Sequence, residues 1–113
     1  MNWNQITSED QIEILKELSK EKPVLIFKHS RSCSISASSL SRLERSWNEE
    51  KAGDLQPYYL DLLSFRSISQ KIASELQVEH ESPQAIVLKD GKAVYHDSHF
   101  GIAFDDIVES AGL

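Results

Sequence analysis

Cysteine is nearly absent: one residue, Cys33, in a chain of 113. That excludes an internal disulfide and a zinc site of the multi-cysteine kind. Basic residues are in the minority, with 12 Lys and Arg against 18 Asp and Glu, and the net charge of −6 leaves no basic footprint for nucleic acid or an anionic membrane surface. No apolar run approaches the roughly 20 residues that cross a bilayer. The start, Met1-Asn2-Trp3-Asn4-Gln5-Ile6, lacks the basic flank and apolar core of an export signal, so a cytoplasmic location is expected. There a thiol stays reduced between turnovers. The four histidines (29, 80, 96 and 99) offer no i, i+4 pair, and His96 with His99 lacks a third ligand, so no metal is expected. Repeats and low-complexity linkers are missing too. What remains, 40% hydrophobic and 27% charged residues, is the composition of one globular domain spanning 1–113.

The chain is organised around Lys28-His29-Ser30-Arg31-Ser32-Cys33-Ser34-Ile35-Ser36. Before it, Pro23 and the short apolar run Val24-Leu25-Ile26-Phe27 read as a buried strand. After it, Ala37, Leu40, Leu43 and Trp47 recur at helical spacing and predict one buried helix face. Cys33 is thereby expected at a strand-to-helix corner, in the first turn of the helix. Free N–H groups and the positive end of the helix dipole favour a thiolate there. Arg31 and Lys28 are expected to add positive potential. Ser36, three residues on, is expected to share the helix face of Cys33 and donate its hydroxyl to the sulfur. A lone cysteine is most often a small buried hydrophobe, but the polar neighbours Arg31, Ser32 and Ser34 point to an exposed, nucleophilic thiol.

Elsewhere the pattern is equally regular. Ser8-Glu9-Asp10-Gln11 is a capping box opening a helix with Ile12, Leu15 and Leu18 inward and Ile14 at the margin. A helix over 33–50 closed by Gly53 follows the first strand. Pro57–Asp61 is a second strand, and residues 2–6 are compatible with a short edge strand. Ser64 is expected to cap a helix with the face Phe65, Ile68, Ile72, Ala73 and Leu76. Two strands joined through a helix make a parallel, right-handed βαβ unit. Asp90-Gly91 between Gln84–Leu88 and Lys92–His96 signals a hairpin. A last helix over 103–111 turns Phe104, Ile107 and Val108 inward. Trp47, Tyr58 and Tyr59 are assigned to the core, and His29 is open between a structural and a proton-carrying role.

This order resembles the thioredoxin fold over nearly the whole chain: α/β, a central mixed sheet of four or five strands with helices on both faces. Cys33-Ser34-Ile35-Ser36 stands in place of Cys-x-x-Cys, and Ser82-Pro83 in place of the cis-proline loop that faces the thiol. The runs Pro23–Ser30, Cys33–Ser36, Pro57–Leu63 and His80–Gln84 resemble the YtxJ-type monothiol bacilliredoxin family, with Ser34 where many members carry proline. The resemblance implies a monothiol oxidoreductase that removes bacillithiol from mixed disulfides on S-thiolated proteins. It makes Cys33 the nucleophile, Ser36 and Arg31 the groups stabilising its thiolate, and Ser34, Ile35, Ser82 and Pro83 the substrate contacts. Arg31 is also a candidate for holding the carboxylates of bacillithiol, a low-molecular-weight thiol acting as co-substrate. A monomer is expected. Two other readings stay open: an iron–sulfur cluster carrier like the monothiol glutaredoxins, and a non-enzymatic stress or adaptor domain.

Overall fold

The computed structural model describes all 113 residues. Five strands form one sheet in the order β1-β3-β2-β4-β5: β1 (Asn4–Gln5), β2 (Val24–His29), β3 (Gln56–Asp61), β4 (Gln84–Lys89) and β5 (Lys92–Ser98). β1, β2 and β3 are parallel, β4 runs antiparallel to β2, and β5, antiparallel to β4, returns to the direction of the first three. The edge strand over 2–6 thus exists, reduced to two residues. At the hairpin, Asp90 and Gly91 both take positive φ, 56° and 78°, the conformation a two-residue type I′ turn requires and Gly supplies without strain.

Strand alternation builds two cores. Val24 and Ile26 face α1 (Asp10–Leu18) and α4 (Arg66–Leu76), joining Ile12, Leu15, Ile68 and Ile72 in one cluster. Leu25 and Phe27 face the other way, towards α2 (Ser34–Ser46), α3 (Glu49–Ala52) and α5 (Phe104–Ser110), with Leu43, Ala52, Phe104 and Ile107. Each buried aliphatic side chain adds about 1.5–3 kcal/mol by leaving water. A strand that is buried on both faces fixes the position of whatever follows it, and Cys33 follows β2.

Several boundaries differ from the sequence pattern. The helix predicted over 33–50 is two helices: Trp47 leaves helical geometry (ψ 130°), and the Asn48 side chain accepts from Lys51 N–H at 3.0 Å to cap α3. Ala37 is exposed, and the buried face of α2 is Ser36, Ser39 and Leu43. Ser64 does not cap α4; its hydroxyl donates to Asp61 Oδ2 at 3.1 Å, and Phe65 takes the cap position. In the capping box of α1, only the glutamine half forms: Gln11 Oε1 accepts from Thr7 and Ser8 N–H at 2.6 and 3.0 Å.

Candidate active site

β2 ends in a tight polar corner. The Cys33 N–H donates to Ser30 O, and the Cys33 carbonyl accepts from Ala37 N–H, each at 3.1 Å. Cys33 is therefore the N-cap of α2, in extended geometry (φ −108°, ψ 118°), one residue before the first turn that the pattern predicted. It is half-buried, and no acidic residue stands in the first turn of α2 to offset the positive end of the helix. Ser34 and Ile35 are exposed beside it.

Ser36 does not serve the sulfur as expected. It is fully buried, its Oγ accepts from Ser30 N–H at 3.0 Å, and it lies 2.7 Å from His29 Nδ1. No hydrogen bond joins it to Cys33. The reason is geometric: three-residue spacing aligns side chains only when both residues are helical, and Cys33 is not. One assignment satisfies every group here, with the hydroxyl accepting from Ser30 and donating to Nδ1 of a neutral ring. Burial holds the His29 pKa below the ordinary imidazole value, against the raising pull of Asp61, with Arg31 lowering it further and Glu44 raising it. His29 is thus a structural member of the corner, packed on Tyr59 with ring centroids 5.7 Å apart.

The two cations expected near the thiol are engaged elsewhere. Arg31 Nε sits 3.2 Å from Asp61 Oδ2, and its Nη2 donates to Ser64 Oγ at 3.4 Å. Its charge is shared with a carboxylate at the end of β3. Lys28 continues the Val24–Ile26 face of β2, on the α4 side of the sheet, and is fully buried there beside Ser69 and His80.

The cis-proline loop is where the resemblance put it. The Ser82–Pro83 bond is cis. The antiparallel register pairs Lys28 with Gln84, which carries Pro83 across from His29 and brings Ser82 to the corner that leads into Cys33. Pro83 is buried, and its carbonyl accepts from His99 N–H at 3.1 Å. Ser82 Oγ is buried with no partner, and no loop hydrogen bond uses the Ser82 backbone. A backbone segment with no partner inside the chain, at the corner that leads into the thiol, suits a peptide added as a strand. Cys33, Ser34, Ile35, Ser82 and Pro83 therefore gather at one end of the sheet, with Ser36 beneath them and Arg31 turned to Asp61. Sequence reasoning missed the bracing by His29, Ser30 and Asp61; the signal was strand alternation, which puts residue 29 on the α2 face. No three His, Cys, Asp or Glu side chains converge anywhere in the chain to hold a metal ion.

A half-buried thiol at a helix mouth, opposite a cis-proline on a five-stranded mixed sheet, defines a thioredoxin-fold thiol oxidoreductase. Solved structures agree on the fold. A thioredoxin-fold protein, provisionally described as an oxidoreductase, is 31% identical, with a TM-score of 0.78 over 94% of this chain and 90% of its own. The thioredoxin of Malassezia sympodialis is 15% identical, with a TM-score of 0.77 over 99% and 92% of the two chains. Spinach chloroplast thioredoxin f is 18% identical, with a TM-score of 0.68 over 96% and 89%. The family model for monothiol bacilliredoxin BrxC matches residues 4–107. The chain belongs to the monothiol bacilliredoxin family.

Proposed function

We propose that the protein strips bacillithiol from mixed disulfides on S-thiolated proteins, as a monomer in the cytoplasm. The observation that carries this reading is the lone Cys33, half-buried at the mouth of α2 and facing Ser82–Pro83, in a chain with no second thiol. The Cys33 thiolate attacks the bacillithiol sulfur of the mixed disulfide. A new Cys33–bacillithiol disulfide forms, the old S–S bond breaks, and the target leaves as a thiolate that takes a proton from water. A second bacillithiol thiolate then attacks the cap, releasing Cys33 and forming the bacillithiol disulfide. Each turnover therefore consumes one free bacillithiol, whose sulfur takes over the disulfide bond to the cap that the target's sulfur gives up, and no internal disulfide is needed.

The residues around the thiol have matching tasks. The open Ser82 groups pair with the target's backbone, while Ser34 and Ile35 offer an exposed polar and apolar contact. Arg31, with one carboxylate already beside it, lies within the corner's loop as a contact for the acidic cap. The test uses a bacillithiolated protein and free bacillithiol, followed by mass spectrometry. The wild type is expected to release the target and carry the cap's mass at Cys33. Cys33→Ser is expected to lose turnover by at least about a thousandfold while keeping its fold. Target release by Cys33→Ser at the wild-type rate would sink the reading, and a visible chromophore after anaerobic iron and sulfide reconstitution would favour cluster carriage.

A further inference from the structure

The most unusual group in the molecule is on the opposite face of β2 from the thiol corner. Lys28 is fully buried in a strand, and neither it nor nearby Arg66 belongs to any ion pair of the chain. Buried charges are ordinarily paired. The ammonium has three donors. One reaches Ser69 O at 3.4 Å and one reaches His80 Nδ1 at 3.3 Å, both long, and the third has no acceptor. The cross-strand neighbour Gln84 is also fully buried, and its Oε1 has no partner.

Ser69 and His80, the two residues that Lys28 touches, also line a cavity. Leu62, Arg66, Ser69, Gln70 and His80 line about 160 Å³ of space, and Lys28 contacts two of the five. The lining offers a guanidinium, an amide and a hydroxyl, and no carboxylate. Glu81 is the acidic group that acts on this cluster, through His80, and it pairs with neither cation. Arg66 is exposed at the rim, whereas Lys28 is a cation that the fold buries without a counter-ion. The cavity also opens at the carboxyl ends of the parallel strands β2 and β3, where α/β sheets commonly take ligands.

We propose that this cavity binds a small oxyanion, a carboxylate or phosphate group, on Arg66 and in the field of the buried Lys28 ammonium. The guanidinium presents its planar fork at the rim, and the ammonium, against Ser69 and His80, supplies a point charge from the interior. Lys28 does not line the cavity and acts on the ligand by its charge, through the two lining residues it touches, while Ser69, Gln70 and His80 offer the polar contacts. The site stands apart from thiol exchange and does not require it.

The test is a titration of the isotope-labelled full chain at pH 7, followed by backbone and side-chain NMR. Malate and inorganic phosphate serve as separate probes. Saturable shifts centred on Ser69, Gln70 and His80 are expected. Shifts with malate alone assign a carboxylate, with phosphate alone a phosphate, and with both a general oxyanion site. Arg66→Gln, on the surface, is expected to weaken binding by about tenfold or more, and Lys28→Met, which removes the charge behind the cavity, to weaken it as well. Arg31→Gln, a guanidinium at the same sheet end but across from the cavity, is expected to leave affinity unchanged. Absence of saturable shifts with both probes, or unchanged affinity in Arg66→Gln, would overturn the assignment. So would loss of affinity in Arg31→Gln, because it would move the anion to the thiol corner.

Discussion

Lys28 and His29 are neighbours on one strand, yet they meet opposite conditions. His29 turns towards α2 and enters a closed set of hydrogen bonds with Ser36 and Ser30. Lys28 turns towards α4 and finds long contacts and an unused donor. The first face is finished within the chain and holds a nucleophile in place. The second is left incomplete at a cost in stability. A pleated strand thus separates two tasks by one residue: bracing on one side, a vacancy for charge on the other.

The comparison breaks most sharply at Ser36. Ser36→Ala removes the acceptor of Ser30 N–H and the partner of His29 Nδ1, both buried, and is expected to cost about 1–3 kcal/mol in denaturant unfolding. The rate of Cys33 alkylation is expected to change in the same variant, because the corner that sets its position has loosened. An unchanged midpoint would show that the bonds are not holding the corner.

Lys28→Met is expected to act in the other direction, stabilising the fold by about 1–2 kcal/mol as an apolar side chain replaces an uncompensated charge. Burial pushes the Lys28 ammonium down to about 8 from its ordinary 10.5. The unfolded chain therefore binds this proton more tightly than the folded one, and the Lys28 contribution to stability rises as pH climbs from about 8 to 10.5. Melting curves of wild type and Lys28→Met across that window should converge. Parallel curves would count against a buried charge.

The smallest effect is expected at Arg31. Its ion pair with Asp61 is largely exposed on the arginine side, so Arg31→Gln should shift stability by less than about 1 kcal/mol, and less again in high salt. A larger loss in calorimetry would mean that the pair braces the corner as Ser36 does.

The fold was legible because its signals are local and redundant. The βαβ unit, the Asp90-Gly91 hairpin and the Cys33 corner all follow from period and turn chemistry, and the cis-proline loop came through family likeness. The roles of Ser36 and Lys28 did not follow. For Ser36, a helical wheel was applied to a residue pair of which one member is the cap, outside the helix. For Lys28, its nearness in sequence to Cys33 suggested a cation beside the thiol, while alternation with Val24 and Ile26 already placed it on the opposite face of the sheet. The break at Trp47–Asn48 was visible only as an asparagine followed by two glutamates, a capping signal that the apolar period overrode.

The hairpin tip has a consequence for handling the protein. Asp90 N–H donates to Ser19 O at 2.9 Å and Gly91 N–H to Ser19 Oγ at 2.7 Å, so the turn is stitched to the end of α1. A loop that looks free for a protease site or an inserted tag is in fact a clasp between the opening helix and the closing third of the chain. Cutting there would sever a long-range tie that the short loop length conceals.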